Sequence, residues 1–170
     1  HQLNGAGLTS SVEVTGGDGA FCHIDQDEPQ FQFGAFTFSQ YRRSQDGGAT
    51  WSSINFSGSI GQFINPSDYD DINNKFYASW SGGQYFRWDN ANSSTTAFSV
   101  AVTAFNGATV RHVNVSPHTA NRVFFGTGGT NGARIVRVDN AHLAAPTGTN
   151  ITGSTMPAAP NSVSCVAVGT

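Results

Sequence analysis

The octapeptide Ser44-Gln45-Asp46-Gly47-Gly48-Ala49-Thr50-Trp51 is the feature of this sequence that most constrains the fold. An Asp two residues before a Gly can turn its carboxylate onto the backbone N–H groups of a tight turn. The Gly supplies backbone angles that other residues avoid. Thr50 and Trp51 have the side chains typical of a strand start, and the indole can pack over the turn. The segment therefore predicts a β-hairpin that is braced by its own side chains.

A repeat surrounds this turn. Three segments share an apolar strand, a polar turn, a second strand and a third strand that contains an arginine. The aligned arginines are Arg42, Arg87 and Arg137, which are 45 and 50 residues apart. That spacing is typical of one four-stranded propeller blade. We therefore predict an all-β fold with one domain over 1–170, blades at about 20–57, 58–105 and 108–155, and the first strand of another at 161–170.

About three and a half blades are too few for a clearly closed propeller, because a single blade exposes two apolar faces that need neighbours. Three explanations stay open. The chain is part of a larger propeller, or it closes by association with another copy, or its first 20 residues help to complete a fourth blade. A strand-like run at 8–15 suits the last explanation.

The turn motif resembles the Asp-box, or BNR repeat, of the β-propeller superfamily that includes sialidases, sortilins and xyloglucanases. All five defining positions are filled, by Ser44, Asp46, Gly48, Thr50 and Trp51. Residues 16–140 also resemble large secreted repeat proteins of environmental bacteria. The resemblance implies a propeller in a secreted or cell-surface protein, and a structural role for the box, which in this superfamily lies away from the active site.

Composition excludes some classes of function. Charged residues make up 11% of the chain, with a net charge of −3, which argues against non-specific nucleic-acid binding. No apolar run approaches the roughly 18–20 residues of a transmembrane helix. Twenty glycines and 12% aromatic residues favour an extracellular all-β protein.

No catalytic, metal or cofactor site is predicted. Two acidic clusters, Asp25, Asp27 and Glu28 and then Asp68, Asp70 and Asp71, are interpreted as turn formers between first and second strands. The spacing of a calcium loop is absent from both. The five histidines lack metal-ligand spacing and are interpreted as strand or loop residues.

The second repeat contains the candidate ligand-binding residues, Trp80 and Tyr85, because exposed aromatic rings near a Gly-Gly turn can stack on sugars. Phe86 and Trp88 are assigned to the core. Residues 77–89 also resemble a xyloglucanase segment in which an acid just before the paired glycines is catalytic. Here Ser79, Trp80 and Ser81 stand there instead, which argues against hydrolase activity.

The cysteines, Cys22 and Cys165, lie in apolar strand-like runs. Two buried free thiols and a disulfide between them both stay open. Four glycosylation sequons begin at Asn55, Asn92, Asn114 and Asn150, and Asn114 is a poor acceptor inside a strand.

These observations predict a non-catalytic extracellular propeller segment that serves as a scaffold or as a binding surface for glycan or protein partners. Two alternatives are a fragment of a secreted glycoside hydrolase, sialidase-like or xyloglucanase-like, and a structural protein that polymerises through blade edges.

Overall fold

The computed structural model is an all-β protein, with a single short 3₁₀ turn, Thr103–Phe105, in the part of the chain that it describes. Residues 2–3, 11–56, 60–156 and 160–169 are described. This agrees with the predicted fold class. No helix within these ranges is long and apolar enough to cross a membrane.

Three four-stranded antiparallel sheets make up most of the molecule, and we call them blades 1, 2 and 3. In each blade the strands pair with their neighbours in chain order. Blade 1 contains β3 (Cys22–Ile24), β4 (Gln32–Ala35), β5 (Gln40–Ser44) and β6 (Ser52–Asn55). Blade 2 contains β7 (Ser67–Asp70), β8 (Lys75–Ser79), β9 (Gln84–Asp89) and β10 (Thr96–Ala101). Blade 3 contains β11 (Thr109–Val115), β12 (Val123–Gly129), β13 (Arg134–Asp139) and β14 (Thr147–Asn150).

Three short strands lie outside this plan. β1 (Gln2–Leu3) pairs with β2 (Ser11–Val12) as a separate two-stranded sheet. β15 (Asn161–Ser162) pairs with β12 and so extends blade 3. The following residues, 163–169, have no regular secondary structure, although Val163 N–H donates to the Thr127 carbonyl. The assignment of 161–170 to a further blade, and of 1–170 to one domain, stays a prediction.

The three blades are related position by position. The turn after each third strand bonds back to the turn before the second strand, through the N–H of Gly47 to Gln30, of Ala91 to Asn74 and of Ala141 to Asn121. Cross-strand pairing agrees, since Phe33, Tyr77 and Phe124 face Arg43, Arg87 and Arg137.

The equivalent arginines are therefore residues 43, 87 and 137. All three predicted arginines do lie in third strands, but the alignment of Arg42 was one residue too early. In a strand, this difference of one residue moves a side chain to the opposite face of the sheet. Arg42 lies on the face opposite Arg43, with its guanidinium 5.3 Å from the centre of the Phe36 ring.

The core lies between the blades. Between blades 1 and 2, aromatic rings from both sheets interlock, with Phe33 from blade 1 5.6 Å from Trp88 and Tyr41 4.8 Å from Phe76. Phe86 and Trp88 are both buried there, as predicted. Between blades 2 and 3, Tyr85 packs on Phe125 at 4.9 Å among buried valines of blade 3. Blade 2 is thus apolar on both faces because it has a neighbour on each.

Candidate functional site

The predicted turn of blade 1 is braced from within, as its sequence indicated. The Asp46 carboxylate accepts hydrogen bonds from the Thr50 N–H at 2.8 Å, the Thr50 hydroxyl at 2.6 Å and the Ser44 hydroxyl at 2.8 Å. The Ser44 oxygen in turn accepts from the Gly48 N–H at 2.8 Å. The Trp51 indole N–H closes the turn on the Gly48 carbonyl at 3.0 Å.

These contacts assign a structural role to the turn. Hydrogen bonds from Thr50 and Ser44 lower the pKa of Asp46 to about 2, so the side chain is ionised at neutral pH. Gly47 and Gly48 have φ of 72° and 89°, which other residues rarely adopt. Because the bonds that Asp46 accepts come from within the turn, its carboxylate stabilises the hairpin.

The corresponding turns of blades 2 and 3 each accept hydrogen bonds from an arginine of the preceding blade. Arg43 of blade 1 donates from Nη1 to the carbonyls of Ala91 at 2.8 Å and Ser94 at 2.7 Å, both in blade 2. Arg87 of blade 2 donates in the same way to Leu143 at 2.8 Å and, more weakly, to Ala141 at 3.4 Å in blade 3. We call these two contacts the arginine clamps.

Arg137 is the third equivalent arginine, and it clamps nothing in the described chain. Its Nε donates to Asp139 at 3.0 Å. Its side chain is 35% exposed, against 6% for Arg87, because the described residues place no further turn over it. The neighbouring side chains Phe124 and Ile135 are only partly buried, whereas their equivalents in blades 1 and 2 lie in the core.

The two predicted ligand-binding residues have different surroundings. Tyr85 is fully buried between blades 2 and 3, and its hydroxyl donates to the Ala141 carbonyl at 2.6 Å. Burial also raises the pKa of its phenol. Tyr85 therefore has no ring face open to a ligand, and its role is packing between blades. Trp80 is partly exposed and stacks on Phe86, with ring centres 5.4 Å apart.

Trp80 borders an open cleft of about 290 Å³ between blade 1 and the outer strand of blade 2. Blade 1 contributes Phe56, which directly follows β6. The other lining residues belong to blade 2 and are Trp80, Phe86, Thr95, Ala97, Phe98 and Ser99. None of the seven is charged, so this cleft has no acid or base for hydrolysis. It is the candidate binding site of the described chain.

Asp25, Asp68 and Asp70 make structural contacts, and the prediction that both clusters form turns was only partly right. Asp25 is fully buried, accepts from the N–H groups of Asp27 and Glu28, and also accepts from the Tyr69 hydroxyl of blade 2 at 2.9 Å. Asp68 and Asp70 belong to β7, since their backbone pairs with β8. No three His, Cys, Asp or Glu side chains come together as a metal site among the described residues.

Asp68 links blades 2 and 3, because its carboxylate accepts from the Val115 N–H at 2.7 Å. Burial raises its pKa, against the effect of the bonds from Val115 and Tyr69. His23 of blade 1 lies beside it, with Nε2 3.0 Å from the Ser67 hydroxyl and Nδ1 3.8 Å from Asp68.

This Ser, His and Asp group lacks the geometry of a catalytic triad. The distance of 3.8 Å is too long for a hydrogen bond that would orient the imidazole, and Ser67 is buried. Burial lowers the pKa of His23 to about 4, which keeps the imidazole neutral at physiological pH. The group links blades 1 and 2.

Both cysteines are free thiols, and both are exposed. The expectation of burial was wrong, because Cys22 lies on the outer face of blade 1 and Cys165 on a segment without regular structure. Of the sequon asparagines, Asn114 lies in β11 with its side-chain oxygen buried.

Two residues that matter here, Arg43 and Phe56, have no clear signal in the sequence. Arg43 was hidden by its neighbour Arg42, although its distance of three residues from Asp46 matches that from Arg87 to Asn90 and from Arg137 to Asn140. Phe56 was missed because it follows the last strand of its blade, where no periodicity marks it.

No protein-family model matches this chain, and no curated protein is significantly similar to it.

Proposed function

We propose that this chain is a non-catalytic extracellular propeller segment that serves as a scaffold and as a binding surface for glycan or protein partners. The observation that supports this role is the pair of arginine clamps. Each joins one blade to the main chain of the next, so that three sheets form a continuous stack.

The side chains that resemble catalytic groups have structural tasks, which also supports a non-catalytic role. Asp25 and Asp46 accept several hydrogen bonds within their own turns. Ser79, which stands near the acid position of the xyloglucanase-like segment, is fully buried. A retaining or inverting glycosidase needs two carboxyl groups about 5–10 Å apart across a sugar site, and the cleft beside Trp80 has no carboxyl group.

The self-braced turn supports membership of the Asp-box propeller superfamily, and through it a secreted or cell-surface location. The hydrogen bonds of Ser44, Asp46 and Thr50 account for why those residue types recur at this spacing. Membership stays part of the proposal.

A hydrolysis assay tests the proposal. The chain is incubated with aryl α-sialosides, β-glucosides and β-xylosides, and with xyloglucan, from pH 4 to pH 8. We expect no turnover above the buffer rate. Turnover that Asp25→Asn or Asp68→Asn abolishes, while Asp18→Asn leaves it intact, would contradict the proposal and favour the hydrolase alternative.

Val163 covers blade 3 at Gly126, but the part of this face around Phe124, Ile135 and Arg137 stays partly exposed, which favours one elaboration of the scaffold role, a larger or assembled propeller. Phe124, Ile135 and Arg137 occupy the positions that Phe33, Tyr41 and Arg43 use to hold blade 2. Sedimentation velocity from 1 to 200 μM distinguishes self-association from a monomer. Concentration-dependent association that Arg137→Glu weakens and Arg111→Glu does not would favour assembly through this face.

A further inference from the structure

The cleft between blades 1 and 2 is built around a flat aromatic platform. The Trp80 indole lies nearly parallel to the Phe86 ring, at an interplanar angle of 22° and a centre distance of 5.4 Å. Phe86 is buried and is itself held by Phe56 at 4.9 Å. The indole is therefore fixed from one side, and its exposed surface borders the cleft.

Hydroxyl groups stand beside this platform. Thr95 and Ser99 border the same cleft, and both residues are exposed. Since no lining residue is charged, the cleft offers an apolar surface and neutral hydrogen-bonding groups together. A ligand that matches this surface has one apolar face and a rim of uncharged hydroxyls.

We propose that this cleft binds one pyranose ring of a neutral oligosaccharide, stacked on Trp80 with its hydroxyl groups near Thr95 and Ser99. The C–H face of a sugar with equatorial hydroxyls supplies the apolar surface. The volume of about 290 Å³ lies at the small end of ligand pockets, which suits a single ring with the rest of the chain in solvent. The inference rests on the proposed binding role and names its ligand class.

Phe63 provides a control outside the cleft, because it is an exposed aromatic residue that does not line it. Phe98 lines the cleft on the outer strand, but it pairs with Arg87 across the sheet, and its ring lies 4.9 Å from the Arg87 guanidinium. Ser99 pairs with Phe86 instead. Because successive side chains of a strand point to opposite faces, the Phe98 ring lies on the other face of blade 2 from the Trp80 platform.

The test is calorimetric titration of the chain with cellohexaose, a neutral β-1,4-linked glucose oligomer. We expect a dissociation constant on the order of 1 mM or below. Trp80→Ala removes the platform and should weaken binding about tenfold or more, which corresponds to about 1.4 kcal/mol. Ser99→Phe leaves the platform and fills the cleft, and should abolish binding. Phe63→Ala should change the dissociation constant less than twofold, and circular dichroism verifies the fold of each variant.

Several outcomes would overturn the inference. These are no binding of cellohexaose at 10 mM, equal weakening by Phe63→Ala and Trp80→Ala, or tighter and salt-dependent binding of a galacturonate oligomer. If the chain binds a leucine-rich decapeptide saturably and does not bind cellohexaose, the ligand of the cleft is an apolar peptide. None of these results involves turnover, so the inference can fail while the non-catalytic scaffold role stands.

Discussion

The turn between the third and fourth strands is built in one way in blade 1 and in another way in blades 2 and 3. In blade 1, Ser44, Asp46 and Thr50 hold the backbone with their own side chains. In blades 2 and 3, an asparagine in the left-handed conformation, Asn90 or Asn140, makes the bend. The preceding blade then supplies an arginine that binds the carbonyls of the turn.

The two solutions meet the same physical need. Carbonyl and N–H groups in a turn lack sheet partners, and leaving them unpaired in a partly buried place is costly. The described chain supplies blade 1 with no preceding blade, and there the side-chain partners lie two to four positions apart. The turns of blades 2 and 3 instead receive arginine donors from 48 to 56 residues away, and Ser94 also accepts from the Trp88 indole of its own blade.

The sharpest test of this comparison is Arg87→Ala, for which we expect the largest loss. The Arg87 guanidinium is nearly buried and bonds Leu143, Ala141 and both oxygens of Asp89. Its removal leaves Asp89 with the Lys75 ammonium at 3.4 Å as its remaining ion pair and takes away the donor to the Leu143 carbonyl. The free energy of unfolding, measured with urea, should fall by about 3 kcal/mol.

Arg137→Ala is the matched control for that variant. It removes the equivalent guanidinium, whose side chain is 35% exposed and donates a hydrogen bond to Asp139. We expect a loss below about 1 kcal/mol. Equal losses for the two variants would show that the arginines matter through local charge, and that blade-to-blade clamping adds little.

A pH series separates the junction of blades 1 and 2 from the turn of blade 1. The pKa of His23 is about 4 in the folded protein and 6.5 in the unfolded chain, so the unfolded state binds more protons between these values. The contribution of the neutral imidazole to the free energy of unfolding is complete above pH 6.5. It is lost as the pH falls towards 4, by up to about 3 kcal/mol.

His23→Gln isolates this effect, because its amide can keep the Ser67 contact without titrating in that range. The free energy of unfolding of the wild type, measured relative to that of the variant, should fall from pH 7 to pH 4. Asp46, whose pKa is lowered to about 2, is present in both proteins, so its own contribution cancels from this difference. A constant difference would contradict the buried neutral imidazole.

Asp46→Ala tests the self-braced turn, with a smaller expected effect. It removes the acceptor for the Thr50 N–H and for two hydroxyls on an exposed hairpin. We expect a lower urea midpoint than that of the wild type, with a smaller shift than Arg87→Ala produces. Asn90→Gly is the comparison in blade 2 and should be nearly neutral, since glycine adopts the φ of 49° freely.

The smallest expected effect concerns the cysteines, which lie at the outer face of blade 1 and beside blade 3. Cys22→Ser and Cys165→Ser should each change stability by less than about 0.5 kcal/mol, because both side chains are exposed. Two thiols should react with Ellman's reagent without denaturant. Reaction of fewer than two in freshly reduced protein would contradict the exposure of these residues.

Local patterns predicted the parts of the structure that local forces decide. The hydrogen bonds around Asp46 span at most four residues, so the motif contains all of their partners. Strand content followed from alternation, which also placed Arg42, Arg87 and Arg137 in third strands. The alternation of apolar and polar residues failed where the burial of a sheet face depends on a neighbouring blade. It could not tell Arg42 from Arg43, nor show that Tyr85 on blade 2 is covered by blade 3.

Asp68 and Trp80 show the same limit for the candidate site. Asp68 looked like a turn former because several acids stand together, whereas its partner Val115 is 47 residues away. Trp80 was found from an aromatic cluster beside paired glycines. Its cleft also needs Phe56 of blade 1, a contact that no spacing within blade 2 contains.

The arginine clamps bind main-chain oxygens of Ala91, Ser94, Ala141 and Leu143, and no side chain of the receiving turn. Every amino acid supplies such an oxygen, so the receiving loop is free to drift in sequence while the joint persists. A substitution in the receiving turn thus leaves the acceptor oxygen in place, whereas a substitution of Arg43 or Arg87 removes the joint.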